Sequence, residues 1–276
     1  MRIRCALLVC LCLLLSARAE AQFRPIERGV GEDFHVELGL MFWTPTPALQ
    51  IQTGSLAALG QPAVDFVNEF GIQSTRFNEF RSVIKAGRKT KIRVSHVVMQ
   101  YNEAATLQRT ITFGGSTFPV SAPATADLKW EFWNVGYEWD FIAYPRAVIG
   151  MITAVKFNKI SADLTATGYG SSVTDVNAPI PALGFTARIY PHKLFSVTTE
   201  FSGFKVPGFI GKKISDSVGD DFDARMWEFD FYGTMSFSRY IGAQAGYRRV
   251  TASYLIDPDA GDLKMSGLYF GGVLRF

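Results

Sequence analysis

Three cysteines are all that this chain of 276 residues holds, and Cys5, Cys10 and Cys12 fall together in its first twelve positions. The remainder has no disulfide within reach, which excludes a stapled secreted scaffold. Histidine is as scarce, with only His35, His96 and His192 available to any hydrolytic pair or metal site. Past residue 15 there is no uninterrupted apolar run of the ~20 residues a membrane helix needs. Yet hydrophobic residues make up 48% of the chain and aromatics 14%, so the apolar residues must be dispersed by alternation. Neither sign of charge dominates. The formal charge of +3 falls to about +1 once Arg2, Arg4, Arg18 and Glu20 are set aside, so nothing draws the chain to nucleic acid. A Pro/Ser-rich linker and a compositional break are missing too, which favours one domain.

What is present begins with MRIRCALLVCLCLLLSARAEAQ. Arg2 and Arg4 precede an apolar stretch from Cys5 to Leu15, and small residues follow at Ala17, Ala19 and Ala21. That order predicts a secretory signal peptide over 1–21, cleaved after Ala19 or Ala21. LLVC lacks the small residue directly before Cys10 that lipid attachment requires. Residues 22–276 are then expected to form the mature domain.

From Phe34 the chain reads FHVELGLMFW, with Phe34, Val36, Leu38, Leu40 and Phe42 on one side and Glu37, Met41 and Trp43 on the other. A period of two is the signature of a strand. After a long segment to about residue 75, further strand-like stretches are joined by compact turns at 88–90, 144–147, 190–193 and 237–240. Longer connections are expected at 114–116, 167–177, 207–221 and 257–262. Short turns alternating with longer loops predict a transmembrane antiparallel up-and-down β-barrel. Four short turns with both termini on the same side require ten strands, over 33–43, 76–87, 91–113, 117–144, 147–167, 174–190, 194–206, 222–237, 241–256 and 262–276; eight is the alternative. Rows such as Trp133, Val135, Tyr137, Trp139 and Phe141 are expected to face lipid, with Trp and Tyr at the interfaces. A soluble β-sandwich would bury them inward instead.

The chain closes on GLYFGGVLRF, which places Leu268, Phe270, Gly272, Leu274 and Phe276 in one row. This stretch resembles the C-terminal strand of bacterial outer-membrane β-barrel proteins, which typically ends in Phe with apolar residues at alternate positions before it. Leu268, Phe270, Leu274 and Phe276 match and Gly272 departs. With the leader and the turn rhythm, the mature chain is similar to the small OmpA-like and OmpW-like barrels. The resemblance implies residence in the outer membrane, contact with its lipids and lipopolysaccharide, and recognition of the last strand by the barrel-assembly machinery. It implies no cofactor.

The rows opposite the lipid row should fill the lumen. They supply the acids Glu37, Glu138, Asp140, Glu200, Glu228 and Asp230 and the bases Arg81, Lys85, Arg93, Lys156, Arg188 and Arg248. Equal numbers predict a charge-paired, largely closed interior, with the carboxylates at 138, 140, 228 and 230 meeting Arg81, Arg93, Arg188 and Arg248. A narrow conducting path is the alternative.

Catalysis finds little support. Ser95 and His96 point to opposite faces of a strand, and His35 and His192 belong to the short-turn end. GFIGKK lacks the spacing of a phosphate loop. DPDAGD at 257–262 and DSVGDDFD at 216–223 cluster carboxylates without the spacing of a calcium loop, so no metal is expected. In QPAVDFVNEFGI, Val64, Val67 and Phe70 recur every third residue and Pro62 could open a helix. That loop is expected to pack on the barrel rim, or, as the OmpW-like resemblance implies, to form an apolar lip for a hydrophobic ligand.

Overall fold

Alternation builds the strands of the protein, seen in a computed structural model that describes residues 29–53, 58–60, 62–205, 222–256 and 259–276. The expected signal peptide, GFIGKK, most of DSVGDDFD and the start of DPDAGD lie outside the described residues. In chain order the elements are β1 (Val36–Gln52), β2 (Val64–Asp65), α1 (Phe66–Phe70), β3 (Phe77–Lys85), β4 (Thr90–Thr106), β5 (Ile111–Phe113), β6 (Ser116–Phe118), β7 (Pro123–Tyr144), β8 (Ala147–Ala166), β9 (Gly170–His192), β10 (Phe195–Lys205), β11 (Phe222–Ser236), β12 (Ile241–Ile256) and β13 (Asp259–Arg275). The ten long strands pair in sequence order, and β13 pairs back onto β1 from Arg275 opposite Glu37 to Ala260 opposite Gln52. The sheet is therefore a closed antiparallel barrel of ten strands, and the eight-strand alternative is excluded. The connections 86–89, 145–146, 193–194 and 237–240 lie at one end, the turn end; the other, which carries the long segments between β1 and β3 and between β4 and β7, is the loop end, although β8 and β9 are joined there by three residues.

The strand limits depart from expectation where local chemistry misleads. β1 runs on through Pro45 and Pro47 to Gln52. Its pairing with β3 stops at Trp43 opposite Phe77, so the prolines stand where β1 has lost that neighbour, and a residue without an N–H is tolerated at an edge. β4 ends at Thr106, short of the expected 113. Ile111, Thr112 and Phe113 are all buried, because this stretch folds back over the barrel mouth as the hairpin β5–β6. The expected loop at 167–177 shrinks to a turn at 167–169 between two paired strands, β8 and β9.

Along the long strands the apolar face changes sides. Near the turn end the apolar rows point outward: on β7 Trp133, Val135, Tyr137, Trp139 and Phe141 are exposed, a length that matches the ~9–11 residues of a tilted membrane-crossing strand. Nearer the loop end the same strand turns Ala126, Leu128, Trp130 and Phe132 inward and Asp127, Lys129 and Glu131 outward. β8 switches likewise, with Val155 and Phe157 outward but Ile160, Ala162 and Leu164 inward. One end is therefore built like a lipid-facing barrel and the other like a soluble one. Tyr144, Phe237 and Phe276 mark the lower margin of the apolar belt.

Phe276 holds the end of the chain in the seam. The His35 and Val36 N–H groups donate to its carbonyl at 2.6 and 3.1 Å, and its own N–H donates to the Val36 carbonyl at 2.8 Å. Its ring, 65% exposed, joins Leu274 (48%), Phe270 (56%) and Leu268 (71%) in the belt. Replacing Phe276 by Asp places a charge in that row, which costs about 2–4 kcal/mol at the bilayer midplane for a cation and less for a carboxylate near the interface. The Phe276→Asp chain is expected to reach the membrane in smaller amounts as heat-modifiable barrel, and normal levels would refute an assembly role for this residue.

Candidate functional site in the barrel lumen

The turn-end half of the lumen is lined by charge. All twelve residues expected there face inward, and four more join them: Glu32, Glu79, Lys91 and Arg275. Glu79 and Lys91 share rows with Arg81 and Arg93, and Arg275 shares one with Tyr269, so the same period of two identifies them. Glu32 precedes the first strand and carries no periodic signal. With these additions eight carboxylates meet eight cations.

Among the described residues the pairs form three groups on the inner wall, one around Arg93 and Lys91, one around Arg81 and Arg248, and the pair Glu37–Arg275. Arg93 joins Glu138 at 2.8 Å and Glu200 at 2.7 Å, and the Tyr232 hydroxyl donates to Glu200 at 2.7 Å. Lys91 reaches Glu138 at 2.8 Å and Asp140 at 3.0 Å. Arg81 bridges Glu79 (2.9 Å) and Asp230 (3.0 Å), while Tyr269 donates to Asp230 at 2.8 Å. Arg248 lies between Glu79 and Glu228, 2.6 Å from each, and Lys156 pairs with Glu228 and donates to Ser202 at 2.8 Å. Glu37 pairs with Arg275. Arg81, Arg93 and Arg248 have Asp230, Glu138 and Glu228 among their partners, whereas Asp140 meets Lys91 in place of an arginine. Arg188 departs: its partner is Glu32, and its Nε donates to Thr198 at 3.1 Å.

That exception defines a latch. The turn Val30–Glu32 lies across the turn-end mouth, where the Gly29 N–H donates to Pro145 O at 3.0 Å and the Val30 N–H to Lys193 O at 2.9 Å. Both acceptors belong to hairpin turns. Gly29 and Gly31 lie against the Tyr190 ring so closely that a Cβ at either would collide with it. Glu32 then enters among Arg188, Lys85 (3.1 Å), Lys91 (3.6 Å) and the Tyr190 hydroxyl (3.2 Å). Burial alone would raise its carboxyl, but Arg188, Lys91 and Lys85 together hold it down, at about 2.

Above the charged layers the lumen is apolar. Trp43, Tyr269, Phe132, Met226, Met265 and Trp130 begin an apolar core that continues toward the loop end. Arg248 marks the boundary, its guanidinium 5.0 Å from the Trp43 ring centre and 5.5 Å from that of Phe132. The mouth at the loop end is capped by Val64, Phe66, Phe70 and Ile72 of the first loop and Leu107, Ile111, Phe113 and Phe118 of the second, all buried. The helix expected from Pro62 begins at Phe66 instead, because Asp65 accepts from the Val67 and Asn68 N–H groups at 3.1 Å and caps it there. Glu69 and Arg109, 2.8 Å apart, tie the two loops together. The cavities are small: about 60 and 30 Å³ among the charges and about 20 Å³ in the apolar half. Ligand pockets usually measure ~300–1,000 Å³.

Of the three histidines, His96 faces outward on β4, stacked on Trp133 at 3.9 Å with Nε2 3.3 Å from Glu131. Trp133 Nε1 donates to the same carboxylate at 3.1 Å, so the trio braces an interfacial tryptophan. Among the described residues no group of three or more His, Cys, Asp and Glu is placed to hold a metal ion.

No family model matches the chain, and no curated protein sequence does. Among solved structures, it is similar to the outer membrane protease OmpT of Escherichia coli, at 10% identity and a TM-score of 0.53, over 89% of this chain and 97% of that one. Lower scores relate it to the attachment invasion locus protein Ail of Yersinia pestis (8%, TM-score 0.40, 88% and 99%) and to the toluene transporter TodX of Pseudomonas putida (7%, 0.37, 88% and 90%). The likeness to OmpT is one of fold, and the fold is that of a bacterial outer-membrane β-barrel.

Two outcomes test the network. Arg248→Ala removes one of the two cations that hold each of Glu79 and Glu228, leaving Arg81 and Lys156 in place, and is expected to lower unfolding stability in urea by about 3 kcal/mol or less. The latch should respond to acid. Because the Glu32 pKa is depressed in the folded chain, its stabilisation is complete above the ordinary value of 4.5 and is lost as pH falls toward about 2. Proteolytic clipping near residue 29 should therefore rise across that window, and Glu32→Gln should be clipped at neutral pH with little further change on acidification.

Proposed function

We propose that the chain is a non-enzymatic protein of the bacterial outer membrane with a closed lumen, serving the envelope as a structural or interaction element. The observation that carries this reading is the double closure. Paired charges fill the turn-end half of the barrel and an apolar core with two capping loops fills the other. An ion crossing the barrel would have to separate charge pairs and then pass an apolar segment. With the turn end periplasmic, where the termini and short turns lie, the capped end faces outward.

OmpT is a protease, yet the histidine supply argues against hydrolysis here. His35 and His192 sit at the turn end and His96 on the lipid-facing wall, so the loop-end rim has none to act as a base. The apolar lip reading is supported less well, because Val64, Phe66 and Phe70 are turned into the barrel mouth.

Refolded protein in planar bilayers is expected to give no steady current. Glu32→Ala, which frees the latch, should remain silent as well, because the apolar half still closes the path. A stable wild-type conductance would overturn the closed-barrel reading in favour of a narrow channel.

A further inference from the structure

The outer wall carries a site of its own on β11–β13, at the height where the apolar belt ends toward the loop end. Trp227 pairs across the ladder with Thr251, and Thr251 with Lys264; one step toward the loop end Arg225 pairs with Ser253 and Ser253 with Asp262; one step below, Phe229 pairs with Arg249. All these side chains point outward. They enclose an open groove of about 390 Å³ whose floor is Thr251 and Ser253, bounded by Arg225, Arg249 and Lys264 and by the aromatic rings of Trp227 and Phe229.

The groove exists because Trp227 leans away from it. On the neighbouring strand β10 a side chain at Gly203 would run into the indole, so the glycine lets the ring lie across β10, stacked on Phe201 at 5.6 Å with the planes 18° apart. Small hydroxyl residues on β12 keep the other side low. Three cations line the groove against one outward carboxylate, Asp262. Lys264 lies 3.7 Å from Asp262, whereas no ion-pair partner holds Arg225 or Arg249 among the described residues, and Lys205 adds a cation opposite Arg225. At the same height on β7 and β8 the wall is mixed, with Lys129, Glu131 and Lys159 alternating in sign.

We propose that this groove binds the phosphate of a phosphorylated lipid in the outer leaflet, with Arg225, Arg249 and Lys264 around the anion and the lipid's acyl chains lying down the Trp227, Phe229 and Phe201 face. Arg225 one step above Trp227, Lys264 level with it and Arg249 beside Phe229 set cations along the upper edge of an aromatic, apolar surface, which matches a molecule whose charge is joined to hydrocarbon. Guanidinium groups suit phosphate oxygens, and the hydroxyls of Thr251 and Ser253 can donate to the same group. The site needs no divalent ion. It rests on the outer-membrane reading but not on a closed lumen, because the groove is on the outer wall and binding is measured separately from conductance.

The test uses the full mature chain refolded in zwitterionic detergent, scored for heat-modifiable mobility, with bound lipid counted by native mass spectrometry. The probes are a bis-phosphorylated glucosamine-disaccharide lipid, its dephosphorylated form, and inorganic pyrophosphate as competitor. The phosphorylated lipid is expected to bind one per chain, more weakly as salt rises, and the dephosphorylated form to bind far less. Arg249→Gln with Lys264→Gln should weaken binding by roughly 25-fold, about fivefold per cation. Lys129→Gln with Lys159→Gln on the opposite wall should leave it unchanged. Thr251→Trp, which fills the floor while keeping every charge, should also abolish it. Equal binding by wild type and the Arg249/Lys264 variant, or by the lipid with and without phosphate, would overturn the proposal. Displacement by pyrophosphate at concentrations equal to those of the lipid would show a site for free anions and overturn the lipid assignment.

Discussion

A charge on the inner wall of a narrow barrel is tolerable only while its opposite stays within reach, and that constraint organises the turn-end half of the protein. Removing an ion from water costs several kcal/mol, which attraction to a partner offsets only when geometry is good and the remaining hydrogen-bonding positions are filled. The barrel meets this requirement by its cross-section. Ten strands bring opposite walls close enough for Arg93 of β4 to touch Glu200 of β10, and for Arg81 of β3 to touch Asp230 of β11. These pairs connect strands that share no ladder. They tie the wall to itself across the lumen, so circumference and charge placement depend on each other.

The same constraint reaches beyond the strands. On the barrel wall alone the cations Lys85, Lys91 and Arg188 would outnumber the carboxylates within reach at the mouth, and the carboxylate that balances them comes from the segment before β1. Folding this segment across the mouth therefore brings Glu32 to the three cations and sets the turn Val30–Glu32 over the end of the barrel in one step. At the loop end closure has a different physical basis. There the walls stand clear of the apolar belt, the outside is polar, and the inside is free to be apolar, so two loops can seal the mouth by ordinary hydrophobic burial.

How much of this could be read from residues follows from what a period of two reports. It reports faces, and so the ten strands, the outward belt on β7 and the inward rows holding Arg81 and Glu138 were legible. Glu79, Lys91 and Arg275 were legible by the same rule, since each shares a row with a residue already placed inward. The switch of the apolar face between Phe132 and Trp133 was also written there, as two adjacent aromatics where strict alternation breaks phase. Periodicity is silent on what has none. Glu32 follows no pattern, and only the fold brings it to Arg188. ITFGGSTF alternates as well as any barrel strand, and nothing local says that it folds over the mouth. Prolines at 45 and 47 argue against a strand until it is known that β1 is an edge there.

The two halves meet at Arg248, and its position explains why they can share one wall. Below it stand Glu79 and Glu228, which need a cation; above it stand Trp43 and Phe132, whose ring faces accept one. A lysine would bring one point charge to this joint. The flat guanidinium can present N–H groups to two carboxylates and a face to the rings together. The boundary between an ionic interior and an apolar one is thereby made within a single side chain rather than across a layer of water. Because that side chain is only 1% exposed, any shift of β12 along its neighbours would separate it from both carboxylates together. The joint therefore also fixes strand register at the height where lipid gives way to water on the outer wall, which is the height of Arg225, Arg249 and Lys264.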